Sequence, residues 1–172
     1  MTTAHFLALG AALFCLPSAV EAGEVFGGVA KHNVGTPLSL GAKREGGVDF
    51  QLGYRGAGIG GTRIQPYAFG AVNSSGDTSY AAAGLSLKFG TRFYFRPGLG
   101  LAIHNGSADK VDRTDRIAFG SRILFEPEIG VGVLVSERIS LEASWVHMSH
   151  AQLFGGQNPG IDNIGARINF RL

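Results

Sequence analysis

The 172-residue sequence holds one cysteine, Cys15, and it falls near the N-terminus. Past that point there is no thiol, which excludes a cysteine nucleophile and a disulfide framework. Charge is scarce: 16% of residues are Asp, Glu, Lys or Arg, against 45% hydrophobic. Long apolar runs are missing all the same. The most apolar stretch, Phe6–Leu16, falls short of the ~18–20 residues a membrane-spanning helix needs. Charge of one dominant sign is missing too. The formal net charge is +2 and the Lys and Arg residues are scattered, which argues against a nucleic-acid partner. The 27 glycines follow no triplet period, so a collagen-like repeat is out.

Residues 1–22 read as a secretory signal, leaving 23–172 as one domain. Phe6–Leu16 is the apolar region, and Val20-Glu-Ala22 has the small-residue spacing of a signal peptidase site. The segment before it carries His5 but no Lys or Arg. Phe14 precedes Cys15 where lipoprotein processing needs a small residue. Removing 1–22 takes away Glu21 and no base, so the formal charge moves from +2 to +3.

What the chain does have is alternation. From Arg92 to His104, Phe93, Phe95, Pro97, Leu99, Leu101 and Ile103 fall on one face. Residues 116–135 repeat this, with Ile117, Phe119, Ile123, Phe125, Pro127, Ile129, Val131, Val133 and Val135 sharing a face that only Ser121 interrupts. Residues 79–89 and 48–55 alternate likewise, while 25–32 and 64–72 are ambiguous in facing. A period of two indicates β-strands. The second face is unlike that of a soluble sandwich, since it carries Arg, Glu and glycines. That suits the tight interior of a small barrel whose apolar face meets lipid. Arg92, Arg96, Arg122, Glu126, Glu128, Glu142 and Arg167 are the expected inner network.

Eight strands are expected, at roughly 24–32, 47–56, 63–72, 79–89, 91–104, 116–135, 138–149 and 161–171. The connections after strands 1, 3, 5 and 7 are longer and polar, and those after strands 4 and 6 are tight. This is the pattern of an all-β, eight-stranded antiparallel transmembrane β-barrel in a bacterial outer membrane. The alternative is a soluble barrel of the lipocalin type, with the apolar side turned inward to a ligand.

On strand 7 the parity places Leu141, Ala143, Trp145, His147 and Ser149 on the outward face. On strand 8 it places Asp162 with Ile164, Ala166, Ile168, Phe170 and Leu172. Sequential antiparallel strands bring the end of one beside the start of the next. His147, Ser149 and Asp162 then meet on the outside of the barrel at one rim, which is the cell-surface rim if both termini are periplasmic. Residues two apart on a strand are separated by about 7 Å on one face, so the side chains of His147 and Ser149 can touch. A serine, a histidine and an acid within reach are the parts of a nucleophilic hydrolase. The plainer reading is an interfacial belt, with Trp145 and His147 among headgroups and Ser149 and Asp162 opening a loop.

Two short stretches are more specific. His147-Met-Ser-His-Ala151, followed by Gln157-Asn-Pro-Gly-Ile-Asp162, resembles the C-terminal signature of the PagL family of lipid A 3-O-deacylases. The resemblance extends to Phe119-Gly-Ser-Arg-Ile-Leu-Phe-Glu126 and to the eight-strand layout. It implies an outer-membrane barrel in which His147 is the base, Ser149 the nucleophile and Asp162 the acid. The implied reaction is hydrolysis of the ester-linked 3-hydroxyacyl chain at position 3 of lipid A, with no metal or cofactor. The partners implied are lipopolysaccharide and the outer membrane, for a monomer or homodimer. Two positions depart from the family pattern: His150 stands where an Asn follows the serine, and the acid is Asp162 where Glu is more familiar. Oxyanion or site-shaping candidates are His150, Ala151 and Asn158. His32 and His104 read as loop-edge or lumen residues, and Asp109, Asp112 and Asp115 as a solvated loop with a Ca²⁺ alternative. The competing reading from another class is a non-catalytic barrel with a structural or surface-binding role.

Overall fold

A computed structural model of the chain describes residues 22–36, 45–109, 116–151 and 160–172. The signal-segment reading of 1–22 lies almost wholly outside these residues. Eight strands run antiparallel in sequence order: β1 Glu24–Lys31, β2 Val48–Arg55, β3 Ile64–Asn73, β4 Tyr80–Leu87, β5 Phe93–His104, β6 Ile123–Leu134, β7 Ile139–Met148 and β8 Ile161–Arg171. A two-residue extension of β4, Phe89–Gly90, also pairs with β5. The meander closes where β1 pairs with β8, Glu24 opposite Arg171 and Lys31 opposite Ile164. Among the described residues each of the eight strands has a neighbour on both sides, as a membrane-spanning sheet requires.

The wall is inverted relative to a soluble protein. Leu52 is 69% exposed, Phe93 73% and Ile168 59%, whereas the side chains of Arg55, Arg96 and Arg167 are buried inside. An apolar exterior over a charged interior excludes the lipocalin-type alternative, in which these faces are exchanged. Three arginines and three glutamates neutralise one another in the lumen. Glu24 Oε1 accepts from Arg55 Nη1 at 2.6 Å and Arg96 Nη1 at 2.7 Å. Glu128 accepts from Arg55 Nη2 at 3.1 Å and Arg167 Nη1 at 2.7 Å, and Glu142 from Arg96 Nη1 at 2.8 Å. Glu126 accepts from the Tyr67 hydroxyl. Arg55 and Arg167 also lie over the Phe26 ring, 4.8 and 4.9 Å from its centroid.

The inward glycines make room for these long side chains. A Cβ on Gly130 would stand 2.6 Å from Glu142 Cδ, and one on Gly98 2.8 Å from Glu128 Cγ. The sequence pattern of Arg and Glu among glycines is therefore one feature, large side chains on one strand facing gaps on the next.

The lumen differs from expectation in membership. Arg92 sits exposed in the β4–β5 turn. Arg122 lies at the rim, where its Nη1 donates to the carbonyls of His104 and Gly106. Glu24 and Arg55 take their places. The two strands of ambiguous facing supply an interior aromatic cluster of Phe26, Tyr67 and Phe69, joined by Tyr80.

The expected strand over 116–135 is also corrected. β6 begins at Ile123, because Gly120 takes a φ of 73° and turns the chain out of the extended conformation. The preceding Ile117, Ala118 and Phe119 are buried and fold over one end of the lumen. Phe119 N–H donates to Ser107 O, and the Phe119 ring packs 4.5 Å from that of His104. Their alternation continued that of the strand, but the apolar face here is a plug and not an outer wall.

At the rim of the long connections, just beyond the end of β1, His32 is fully buried between two carboxylates. Its Nδ1 lies 3.0 Å from both Asp49 oxygens and its Nε2 3.3 Å from Glu45 Oε2. Glu45 in turn accepts from the N–H groups of Thr78 and Ile117. Burial alone pushes the imidazole down, but the hydrogen bonds to Asp49 and Glu45 outweigh it and lift His32 to about 9. Burial likewise pushes Glu45 up, and its bonds to His32, Thr78 and Ile117 bring it below the usual range.

Two outcomes follow from this architecture. Glu128→Met removes the partner of two buried guanidinium groups and is expected to destabilise the barrel by about 3–5 kcal/mol, read from denaturant titration in detergent micelles. The His32 contribution is complete below the ordinary imidazole value of 6.5 and is lost as pH rises through about 9. The temperature at which the folded band disappears on unheated gels should fall across that window. His32→Gln should flatten the slope.

Candidate functional site

The β7–β8 ladder decides what meets at the rim. His147 stands directly opposite Asp162, and Trp145 opposite Ile164. Ser149 lies just past β7, where its N–H donates to Phe125 O and its carbonyl accepts from Phe125 N–H. That bridge to β6 keeps Ser149 extended and on the same outer face as His147. Cross-strand pairing brings imidazole to carboxylate, and the two-residue repeat brings it to the hydroxyl.

His147 Nδ1 is 2.9 Å from Asp162 Oδ1, and His147 Nε2 is 3.0 Å from Ser149 Oγ. Nδ1–H donating to the carboxylate leaves Nε2 as the acceptor facing the serine hydroxyl. A hydroxyl, an imidazole and a carboxylate in that series can activate the oxygen as a nucleophile, hold the imidazolium that forms, and return the proton to a leaving group. The three residues are on the outer wall yet largely covered: Asp162 is wholly buried, Ser149 6% exposed and His147 8%.

Two residues that sequence reasoning did not assign to the site contact it directly. Trp145, read from the sequence as an outward hydrophobe of the interfacial belt, donates Nε1–H to Asp162 Oδ1 at 2.8 Å. Its ring stacks near that of His147, centroids 5.9 Å apart and planes 24° apart. Thr36, in the connection after β1, donates its hydroxyl to Asp162 Oδ2. Trp145 is the diagonal neighbour of Asp162 across the ladder, a separation long side chains bridge, so register could have pointed to it. Thr36 is 126 positions away, and no local signal joins it to the site.

The other candidates separate. The His150 side chain is buried and packs on the left-handed turn before β6, where a Cβ on Gly120 would stand 3.3 Å from His150 Nε2. Ala151 takes a φ of 51°, which turns the backbone sharply after the serine. Asn158 lies outside the described residues, as do Asp112 and Asp115 of the spaced aspartates. Among the described residues, no group of three or more His, Cys, Asp or Glu is arranged to hold a metal ion.

The outer wall below the site is apolar. A depression of about 800 Å³ runs along β8, β7 and β6, with Ala143 and Ala166 among its lining and Phe93, Val131 and Ile168 beside them. Ala143 and Ala166 face each other across the β7–β8 ladder, two residues beyond Trp145 and Ile164.

Comparison with known proteins gives a consistent picture. The model of a family described as lipid A 3-O-deacylase (PagL) matches residues 50–171. The solved structure of the outer membrane enzyme PagL superposes with a TM-score of 0.60 at 16% identity, over 87% of this chain and 99% of that one. Neisserial surface protein A (NspA) superposes with a TM-score of 0.52 at 14% identity, over 90% of this chain and 100% of that one. The Yersinia pestis outer membrane protein Ail gives 0.50 at 11% identity, over 88% and 100%. At these identities the superpositions speak for the eight-stranded barrel fold alone. No curated protein matches the sequence.

Proposed function

The chain belongs to the lipid A 3-O-deacylase (PagL) family, and from that premise we propose that it is a serine esterase releasing the 3-O-linked 3-hydroxyacyl chain of lipid A. The observation that carries this reading is the hydrogen-bonded series Ser149–His147–Asp162 on the lipid-facing wall. Polar side chains are costly on that face at mid-membrane but cost only about 0–1 kcal/mol near the interface. A rim position therefore suits a substrate whose ester lies at the headgroup level of the outer leaflet. The apolar depression farther down the same wall suits an acyl chain pointing into the bilayer.

Ser149 Oγ attacks the ester carbonyl while His147 Nε2 takes its proton. The buried Asp162 carboxylate holds the imidazolium. The tetrahedral intermediate collapses as His147 returns the proton to the sugar oxygen, leaving the acyl group on Ser149. Water, deprotonated by the same imidazole, then attacks the acyl-serine, and the 3-hydroxy fatty acid leaves as His147 returns the proton to Ser149 Oγ. The Ser149 N–H is committed to Phe125 O, so the oxyanion draws its donors from the residues that follow. We assign that role to the backbone N–H groups of His150 and Ala151 at the φ 51° turn, with Asn158 as the side-chain candidate.

Mass spectrometry of lipid A after incubation with the detergent-refolded protein tests the reading. Loss of one 3-hydroxyacyl chain is expected. Ser149→Ala should lower turnover by about 10⁴-fold or more, and Asp162→Asn by about 10²–10⁴-fold. Unchanged lipid A with a folded barrel would instead favour a non-catalytic barrel.

A further inference from the structure

The Asp162 carboxylate is more elaborately held than pairing with one histidine requires. Oδ1 accepts from both His147 Nδ1 at 2.9 Å and Trp145 Nε1 at 2.8 Å. Oδ2 accepts from Thr36 Oγ1. The main chain is held as well, since Val34 N–H donates to Asp162 O at 2.7 Å and Asn33 N–H to Asn163 Oδ1 at 2.9 Å. Residues 33–36 thus form a strap laid along the start of β8. Its root is His32, locked inside the barrel between Asp49 and Glu45, and it leaves β1 through the left-handed Asn33 at φ 51°.

A tryptophan at a membrane interface ordinarily keeps its ring among lipid and offers its N–H to headgroups or water. Trp145 does otherwise. Its indole N–H is directed to a carboxylate that is wholly buried. A buried carboxylate with several donors is fixed in orientation as well as in charge. Here Trp145 takes the second lone pair of Oδ1 and Thr36 one of those on Oδ2, which turns the remaining direction of Oδ1 onto Nδ1–H.

We propose that Trp145 and Thr36 are positioning residues that hold the Asp162 carboxylate on His147 Nδ1, and so fix the tautomer in which Nε2 faces Ser149. The inference rests on the relay described under the proposed function. Trp145 clamps from the strand and Thr36 from the strap, and neither touches the serine oxygen in the hydrogen-bond network. Both act through Asp162, so their effects must vanish once that carboxylate is gone.

The test is a double-mutant cycle on the refolded full-length barrel, using lipid A as substrate. Trp145→Phe keeps a ring beside His147 and removes the N–H. Thr36→Val keeps the branched shape and removes the hydroxyl. Each is measured alone and with Asp162→Ala. Loss of one hydrogen bond to a charged group should lower kcat by about tenfold with KM within about twofold. Neither change should lower kcat further in the Asp162→Ala background. The proposal is overturned if both single variants keep the parental kcat, if they act on KM alone, or if their losses persist undiminished without Asp162. If Asp162→Ala and Ser149→Ala themselves leave activity intact, the relay reading fails instead, which is a separate result. The low-field proton resonance of His147 Nδ1–H provides a readout independent of turnover. It should shift in Trp145→Phe, and an unmoved resonance in a folded variant would contradict the clamp.

Discussion

The structure depends on the charge ring inside the barrel. Arg55, Arg96 and Arg167 interlock with Glu24, Glu128 and Glu142, and only because these charges neutralise one another in the lumen can the opposite face of every strand be apolar. In water such a ring is a poor way to stabilise a fold, since desolvation of the ions offsets much of their attraction. In a bilayer the alternatives are worse: the outer face must be apolar, and the inward positions of a narrow barrel need side chains that fill it. Inward glycines such as Gly98 and Gly130 are the complement of that ring, leaving space for the glutamates that face them.

The same inversion gives the candidate site its character. On an apolar wall, each polar side chain needs a partner supplied by the protein. Ser149, His147 and Asp162 supply one another, Trp145 and Thr36 complete the carboxylate, and the Ser149 backbone is tied to Phe125. The series is held by strand geometry: cross-strand pairing for His147 with Asp162, the two-residue repeat for His147 with Ser149. A membership in the lipid A 3-O-deacylase (PagL) family and a rim-level, lipid-facing relay fit together without any loop having to carry the three key side chains into place.

Much of this was legible in the sequence because a period of two survives tertiary context. Strand count, alternation of long and short connections, and the outward parity of His147, Ser149 and Asp162 all follow from it. What escaped was whatever breaks that period or spans long distances. The run Ile117–Phe119 kept the strand rhythm, but Gly120 turned it into a plug. Glu24 lies at the start of a strand of ambiguous facing, and Arg55, on the polar face of its strand with Asp49 and Gln51, lies at the strand's last position. Phe26, Tyr67 and Phe69 are large and apolar yet face inward, so hydrophobicity alone gives the wrong side. Thr36 reaches Asp162 across 126 positions, and the connection that brings it there has no periodicity at all.

A nucleophilic serine activated on the lipid-facing wall of an inverted barrel is open to direct chemical test. The most direct measurement is active-site labelling of the folded protein in lipid vesicles with a lipophilic organophosphonate, with the modified residue located by peptide mass spectrometry. A single adduct on Ser149 is expected, and it should disappear when His147 is replaced by Ala or when the barrel is unfolded before labelling. A folded barrel that takes no label at Ser149, or labels equally without His147, would contradict it.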